Sequence, residues 1–89
     1  MNDWGTMIHR VKGQIRVAAI FGPGNKIRPV WFDRQGRKHT VTEVTYTWQE
    51  RQGDATIFHF AVTDGADLYE LFYNTASQIW ALTAVDGEG

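Results

Sequence analysis

Turn signals recur about every ten residues along most of this chain, and they constrain its fold more than any other feature. Each one combines glycine, asparagine or aspartate with polar neighbours, and such clusters end strands and form turns. The segments between them are rich in Val, Ile, Thr, Tyr, Phe and Trp, the residues that favour β-strands. The turns are expected at residues 22–25, 34–37, 51–54, 64–67 and 74–77.

This spacing predicts an all-β fold, a six-stranded antiparallel meander curled into a small barrel or roll. The 89 residues contain no internal linker long enough to separate domains, so residues 1–89 are expected to form a single small β domain. Residues 1–13 and 86–89 are assigned to no strand and are expected to be flexible. The strands are predicted at residues 14–21, 26–33, 38–50, 54–63, 68–73 and 78–85.

The register of the hairpins can be derived from the sequence, because a slip of one residue moves every side chain to the opposite face of the sheet. One set of pairings collects the large apolar residues on a single face through five strands. The predicted pairs are Trp48–Thr56, Tyr46–Phe58, Val44–Phe60, Thr42–Val62, Val62–Tyr69, Phe60–Leu71, Phe58–Tyr73, Leu71–Trp80, Tyr69–Leu82, Trp31–Thr40, Pro29–Thr42 and Ile27–Val44. The predicted core is Trp31, Val44, Tyr46, Trp48, Phe58, Phe60, Tyr69, Leu71 and Trp80.

The opposite face carries a second, smaller apolar patch formed by Val30, Phe32 and Val41. Such a patch requires a cover, either the first strand of the curled sheet or a partner chain. Pro29 has no N–H group to donate, so the second strand is expected to lie at an edge of the sheet or to carry a bulge at that position.

Charge is strongly polarised along the chain. Residues 1–53 carry nine basic and four acidic side chains, whereas residues 54–89 carry six acidic side chains and no basic one. Such asymmetry marks a polyanion-binding face, or two faces of opposite sign that pair within the fold or between copies. The chain has no cysteine, which excludes disulfides and thiolate chemistry. With no basic-then-apolar leader at residues 1–7, a cytoplasmic location and no membrane partner are expected.

The residue pattern gives no support to catalysis, a metal site or a cofactor. The predicted register separates His9, His39 and His59, so no set of three ligands converges. Glu43 and His59 share a face at diagonal positions, where a hydrogen bond would form a structural contact or an acid–base pair. Nucleophile and zinc-binding motifs are missing from the sequence. The chain is therefore expected to bind rather than to catalyse, and whether it takes a small-molecule ligand stays open.

The remaining functional signal is a run of basic residues interleaved with aromatic ones. The favoured interpretation is a non-catalytic interaction module that binds a protein partner or a second copy of itself. The alternative is a single-stranded DNA binding module, since cations neutralise phosphates while exposed rings stack on bases. The predicted register turns Trp31 inward and leaves Phe32 as the exposed ring, which favours the protein partner. The candidate interaction patch is Arg28, Val30, Phe32, Arg34, Arg37, Lys38, His39 and Val41.

A further pattern extends along the chain, and its residues are Pro29, Trp31, Phe32, Gly36, Arg37, Val41, Val44, Trp48, Phe60, Ala61, Val62, Leu71 and Trp80. Their order and spacing resemble an uncharacterised family of small bacterial β-domains. That family includes the C-terminal domain of mutagenesis accessory proteins that are similar to Y-family DNA polymerases, and short stand-alone proteins. The resemblance covers about residues 14–86, implies the β-fold, and suggests a setting in DNA damage tolerance. A shorter turn at residues 51–54 replaces the tryptophan-rich basic stretch of the family.

Overall fold

The computed structural model describes residues 8–24 and 26–86, with side chains from Gly13 onward. This part of the chain is all-β, as predicted, with seven strands and no helix. The first strand begins at Ile8, six residues before its predicted start. Of the ends expected to be flexible, residues 8–13 and 86 instead belong to strands, and residues 1–7 and 87–89 lie outside the described part. The strands are β1 (Ile8–Gly22), β2 (Lys26–Arg34), β3 (Arg37–Thr40), β4 (Glu43–Gln52), β5 (Ala55–Thr63), β6 (Leu68–Asn74) and β7 (Ile79–Asp86).

All neighbouring strands are antiparallel, and their order is β3-β2-β1-β7-β6-β5-β4. The third predicted strand is divided into β3 and β4, which accounts for seven strands instead of six. At the division, the Val41 N–H donates to the Val30 carbonyl at 2.8 Å and the Thr42 N–H donates to the Thr63 carbonyl at 2.9 Å. Between β3 and β4 the chain thus changes its hydrogen-bonding partner from β2 to β5 within two residues, and the sheet curls into a half-barrel.

The long strand β1 joins the two parts of the half-barrel. Its residues 8–15 pair with β7, and its residues 16–22 pair with β2. We call residues 16–22 together with β2 and β3 the three-stranded sheet, and residues 8–15 together with β7, β6, β5 and β4 the five-stranded sheet. The inner face of each sheet lines the half-barrel, and the outer face points away from it.

The core lies on the inner faces. The predicted core is confirmed for Phe60, Tyr69, Leu71 and Trp80, which are buried, and Val44 and Phe58 pack against them. The prediction is wrong for Trp31, Tyr46 and Trp48, because none of these belongs to the core cluster and Tyr46 is 65% exposed. The buried cluster is Phe32, Phe60, Val62, Tyr69, Leu71, Trp80 and Leu82.

The predicted β5–β6 register is confirmed at all three pairs, Val62–Tyr69, Phe60–Leu71 and Phe58–Tyr73. The β6–β7 pairs Leu71–Trp80 and Tyr69–Leu82 are wrong. In the structure Trp80 lies opposite Tyr73, Leu82 lies opposite Leu71, and Val85 lies opposite Tyr69. The shift between Leu71 and its partner is two residues, because the turn occupies residues 75–78 and not 74–77. An even shift keeps Trp80 and Leu82 on the inner face, so both are buried as expected.

The predicted β4–β5 register is wrong, and the error changes the face of two aromatic rings. The hairpin turn contains only two residues, because Gln52 pairs with Ala55. Trp48 therefore lies opposite His59, and Tyr46 lies opposite Ala61, both on the outer face. Farther along β4, the predicted pairs Val44–Phe60 and Thr42–Val62 are also wrong. Thr45 is an extra residue that forms a β-bulge and brings Val44 opposite Val62 on the inner face.

A second bulge explains why Phe32, and not Trp31, is in the core. Ala18 pairs with Trp31 whereas Ala19 pairs with Pro29, so Val30 is an extra residue in β2. Pro29 and Phe32 therefore both point inward, and Trp31 points outward even though its predicted pairing with Thr40 is confirmed. The bulge expected beside Pro29 is confirmed. The pairs Pro29–Thr42 and Ile27–Val44 are wrong, because the chain leaves β2 after Val41.

Candidate functional site

The structure divides the predicted interaction patch between the two faces of the three-stranded sheet. Phe32 is 0% exposed, and Val41 packs against the core. The prediction of an exposed apolar patch that contains Phe32 is therefore wrong, because the curled sheet itself covers this residue. The sequence had left open whether the curled sheet or a partner chain provides this cover. Val30 is half-buried at the bulge. The charged members of the patch lie elsewhere, on the outer face and at the β2–β3 turn.

Four cationic side chains share the outer face of the three-stranded sheet with one tryptophan. Lys26 and Arg28 alternate along β2, and Arg28 lies opposite Ile20, which is 51% exposed. After the bulge the same face continues through Trp31, beside Arg16 of β1 and Lys38 of β3. We call this surface the basic face; it consists of Arg16, Lys26, Arg28, Trp31 and Lys38.

Trp31 contacts one of these cations directly. The Lys38 Nζ lies 4.9 Å from the centroid of the Trp31 ring, which is within the range of a cation–π interaction. The ring is half-buried, so part of it faces solvent. The contact holds an ammonium group over an aromatic surface.

Only one cation of the basic face is neutralised within the described residues. The Arg16 guanidinium forms an ion pair with Asp33 at 2.6 Å. In the same part of the chain, Lys26, Arg28 and Lys38 have no carboxylate within 4.0 Å. Among the side chains from Gly13 to Asp86 that the structure describes, the basic face therefore carries an uncompensated positive charge, and such a charge attracts anions.

Two further arginines flank the tight turn at the end of this sheet. The turn consists of Gln35 and Gly36, with φ angles of 54° and 77°, and two successive left-handed residues are typical of a type I′ hairpin. The turn places Arg34 directly opposite Arg37. Like charges opposite one another destabilise a sheet, so an anion bound between the two side chains would relieve their repulsion.

His39, the last member of the predicted patch, belongs to a hydrogen-bonded cluster on the inner side. Its Nδ1 lies 3.2 Å from Asp64 Oδ2, and the Tyr69 hydroxyl donates to the same oxygen at 3.0 Å. The His39 ring also stacks on Phe32, with ring centroids 5.0 Å apart. Sequence reasoning missed this cluster, because it treated Asp64 only as a turn residue. The cluster joins the two sheets and has a structural role.

The cluster perturbs two ionisable groups. Burial of Asp64 disfavours its charged form, but the N–H groups of Asp67 and Ala66, together with His39 and Tyr69, stabilise the carboxylate and lower its pKa from 3.8 to about 2. For Tyr69, burial and the bond to the Asp64 carboxylate both favour the neutral phenol and raise its pKa to about 12.

Asp64 is expected to make the free energy of unfolding depend on pH in the acid range. Between pH 3.8 and about 2, the unfolded chain binds a proton at Asp64 and the folded chain does not, so the free energy of unfolding falls as the pH falls through this range. Replacing Asp64 by asparagine should therefore give a shallower decline in that window. Urea unfolding between pH 2 and pH 7 measures this, with the exposed Asp54→Asn as the matched control. An identical slope for Asp64→Asn and the parent would contradict the assignment.

A groove of about 430 Å³ lies where the half-barrel is incompletely closed. It separates Lys26 and Ile27 of β2 from residues 47–49 of β4, and Phe58 and Phe60 form part of its lining. Among the described strands, neither β4 nor the first part of β2 has a hydrogen-bonded neighbour on this side. Lys26, at the rim of the groove, is exposed and belongs to the basic face.

His59 contacts Glu50 and not Glu43, the partner that the predicted register offered. The distance between His59 Nε2 and Glu50 Oε2 is 3.3 Å. Within residues 8–24 and 26–86, no group of three His, Cys, Asp or Glu side chains is arranged to hold a metal ion. The same residues include no helix with the length and apolar character needed to cross a membrane.

No protein-family model, curated protein or solved structure matches this chain.

Proposed function

We propose that the protein is a non-catalytic binding module whose basic face binds single-stranded nucleic acid. The observation that carries this proposal is the position of Trp31, which lies on the outer face beside Lys38 and on the same face as Lys26 and Arg28. A tryptophan beside cations on a curved sheet combines the two contacts that single strands require, namely phosphate neutralisation and base stacking.

The alternation of side chains supports a contact that follows the backbone of the ligand. Lys26 and Arg28 are two residues apart on one strand, so their side chains project from the same face about 7 Å apart. This distance is comparable to the separation of successive phosphates in an extended single strand. Arg34 and Arg37 add positive charge at the end of the sheet, but their pairing places them on the inner side with His39, so they do not belong to this contact.

This proposal replaces the protein-docking patch that the sequence favoured. That patch depended on Phe32 as an exposed ring, and Phe32 is in the core. The resemblance to domains of mutagenesis accessory proteins is in keeping with a role in DNA damage tolerance, where single-stranded DNA is present. A role in DNA damage tolerance is thus part of what we propose.

Titration of a fluorescently labelled oligothymidylate, followed by anisotropy at two salt concentrations, tests the proposal. If about four phosphates are contacted, a fourfold rise in salt should weaken binding roughly fiftyfold. Replacing Trp31 by alanine should remove the stacking contact and weaken binding roughly tenfold. Lys26→Glu and Arg28→Glu should weaken it further and flatten the salt dependence.

The matched control is Arg51→Glu, which reverses one positive charge on β4, outside the basic face. It should reduce affinity much less than Arg28→Glu. Absence of binding at low salt, or equal losses for Arg51→Glu and Arg28→Glu, would refute the proposal.

A further inference from the structure

The outer face of the five-stranded sheet carries a continuous row of rings that the core does not use. Tyr46 and Trp48 of β4 have ring centroids 5.5 Å apart, and Trp48 stacks on His59 at 4.8 Å with an interplanar angle of 3°. His59 in turn lies 5.9 Å from Phe72 of β6. We call these four residues the aromatic row. Its outermost member, Tyr46, is 65% exposed.

Among the described side chains of β4–β7, the charge around the aromatic row is negative. All basic residues of the chain precede residue 52, so strands β4–β7 contain one, Arg51, and its pairing with Thr56 places it on the inner side. The outward positions of the same strands include three glutamates. These are Glu43, which is paired with Thr63, Glu50, which is paired with Ile57, and Glu70, which is paired with Ala61.

Glu50 lies in line with the exposed rings. Tyr46, Trp48 and Glu50 occupy alternate positions on one strand, so they point the same way and are about 7 Å apart. Two side chains contact the Glu50 carboxylate, since Gln52 Nε2 and His59 Nε2 each lie 3.3 Å from Oε2. Its side chain is 48% exposed, and within the described residues no lysine or arginine neutralises it.

We propose that the aromatic row and Glu50 dock a basic, arginine-bearing segment of a protein partner. A guanidinium group stacks on the exposed ring of Tyr46, because planar cations are attracted to the faces of aromatic rings, whereas the Trp48 ring is already stacked on His59. Glu50 supplies the counter-ion for a second arginine, four positions farther along the strand. Charge complementarity selects the partner: the face is aromatic and acidic, so a basic segment fits it and a nucleic acid is repelled. This surface adjoins the basic face at the groove that Lys26 and Trp48 line, and it does not depend on the proposed function.

The probe for this surface is a capped peptide of alternating glycine and arginine, whose side chains repeat at the spacing of the strand. Titration is followed by the indole N–H signal of Trp48 in NMR spectra. The matched peptide has citrulline in place of arginine, which keeps the shape and removes the charge. We expect the arginine peptide to shift this signal and to bind at least tenfold more tightly than the citrulline peptide.

Two substitutions test the assigned contacts. Tyr46→Ala should weaken binding of the arginine peptide roughly threefold to thirtyfold, and it should fold normally because the side chain is exposed. Glu50→Gln should weaken binding roughly fivefold, whereas Asp54→Asn, which removes an equal charge in the neighbouring turn, should have little effect. Both variants should bind oligothymidylate as the parent does.

Three results would overturn the proposal. They are equal affinity for the arginine and citrulline peptides, equal losses for Glu50→Gln and Asp54→Asn, and undiminished binding by Tyr46→Ala. A nucleic acid that shifts the Trp48 signal more than the arginine peptide does would overturn it as well.

Discussion

Replacing Phe32 by alanine is expected to destabilise the protein by about 3–5 kcal/mol, the cost of a large cavity at a fully buried aromatic position. Phe32 is 0% exposed, stacks on His39, and contacts the edge of Tyr69 with ring centroids 4.9 Å apart. A domain of this size has about 5–10 kcal/mol of stability in total. We therefore expect Phe32→Ala to be largely unfolded or to melt far below the parent, as measured by circular dichroism.

Trp31→Ala is the matched control, since the two residues are adjacent and aromatic but point to opposite faces. It should cost much less stability than Phe32→Ala, because Trp31 is half-buried. Its main effect should be on oligothymidylate binding. The sequence-based register predicts the reverse order of stability losses, so chemical denaturation of the two variants distinguishes the two arrangements directly. Equal losses for Phe32→Ala and Trp31→Ala would contradict the structure.

Replacing Phe60 by alanine should have a comparably large effect, a loss of about 3–5 kcal/mol in the free energy of unfolding. Phe60 is 3% exposed and lies between Leu71 on β6 and Thr47 on β4, with its ring 5.5 Å from that of Trp80. Its removal would leave a cavity beneath the middle of the five-stranded sheet. Urea denaturation measures the loss.

The control for Phe60→Ala is Tyr46→Ala. Both residues belong to the β4–β5 hairpin and both were assigned to the core from the sequence. Because Tyr46 is 65% exposed on the outer face, its truncation should change the free energy of unfolding by less than about 1 kcal/mol. A large loss for Tyr46→Ala, or a parent-like melt for Phe60→Ala, would refute the observed assignment of faces.

The sequence is sufficient to predict the fold class, most strand positions and the β5–β6 register. In β5 and β6, large apolar residues alternate regularly at Phe58, Phe60 and Val62 and at Tyr69, Leu71 and Tyr73. The turn at residues 64–67 sets a register that places both sets on one face, and no bulge interrupts this pair. Burial of Phe60, Tyr69 and Leu71 follows from it.

The candidate surfaces could not be derived in the same way, because each depends on a bulge. In β2, strict alternation from Pro29 would place Trp31 inside, but the extra residue Val30 reverses the order. In β4, alternation from Val44 would place Tyr46 and Trp48 inside, but Thr45 reverses that order too. Pro29 signals the first bulge. The second bulge has no comparable marker in the sequence. In the structure, the Thr45 hydroxyl at this bulge donates to the Ala61 carbonyl at 3.1 Å.

The extra residue in β2 can be lost without exchanging the surface and the interior of the strand. Ala19 pairs with Pro29 and Ala18 pairs with Trp31, so a chain without Val30 would make the same pairs in a regular ladder. The indole would stay on the outside and the phenyl ring would stay on the inside. A related chain that is one residue shorter at this position is therefore expected to present the same two faces.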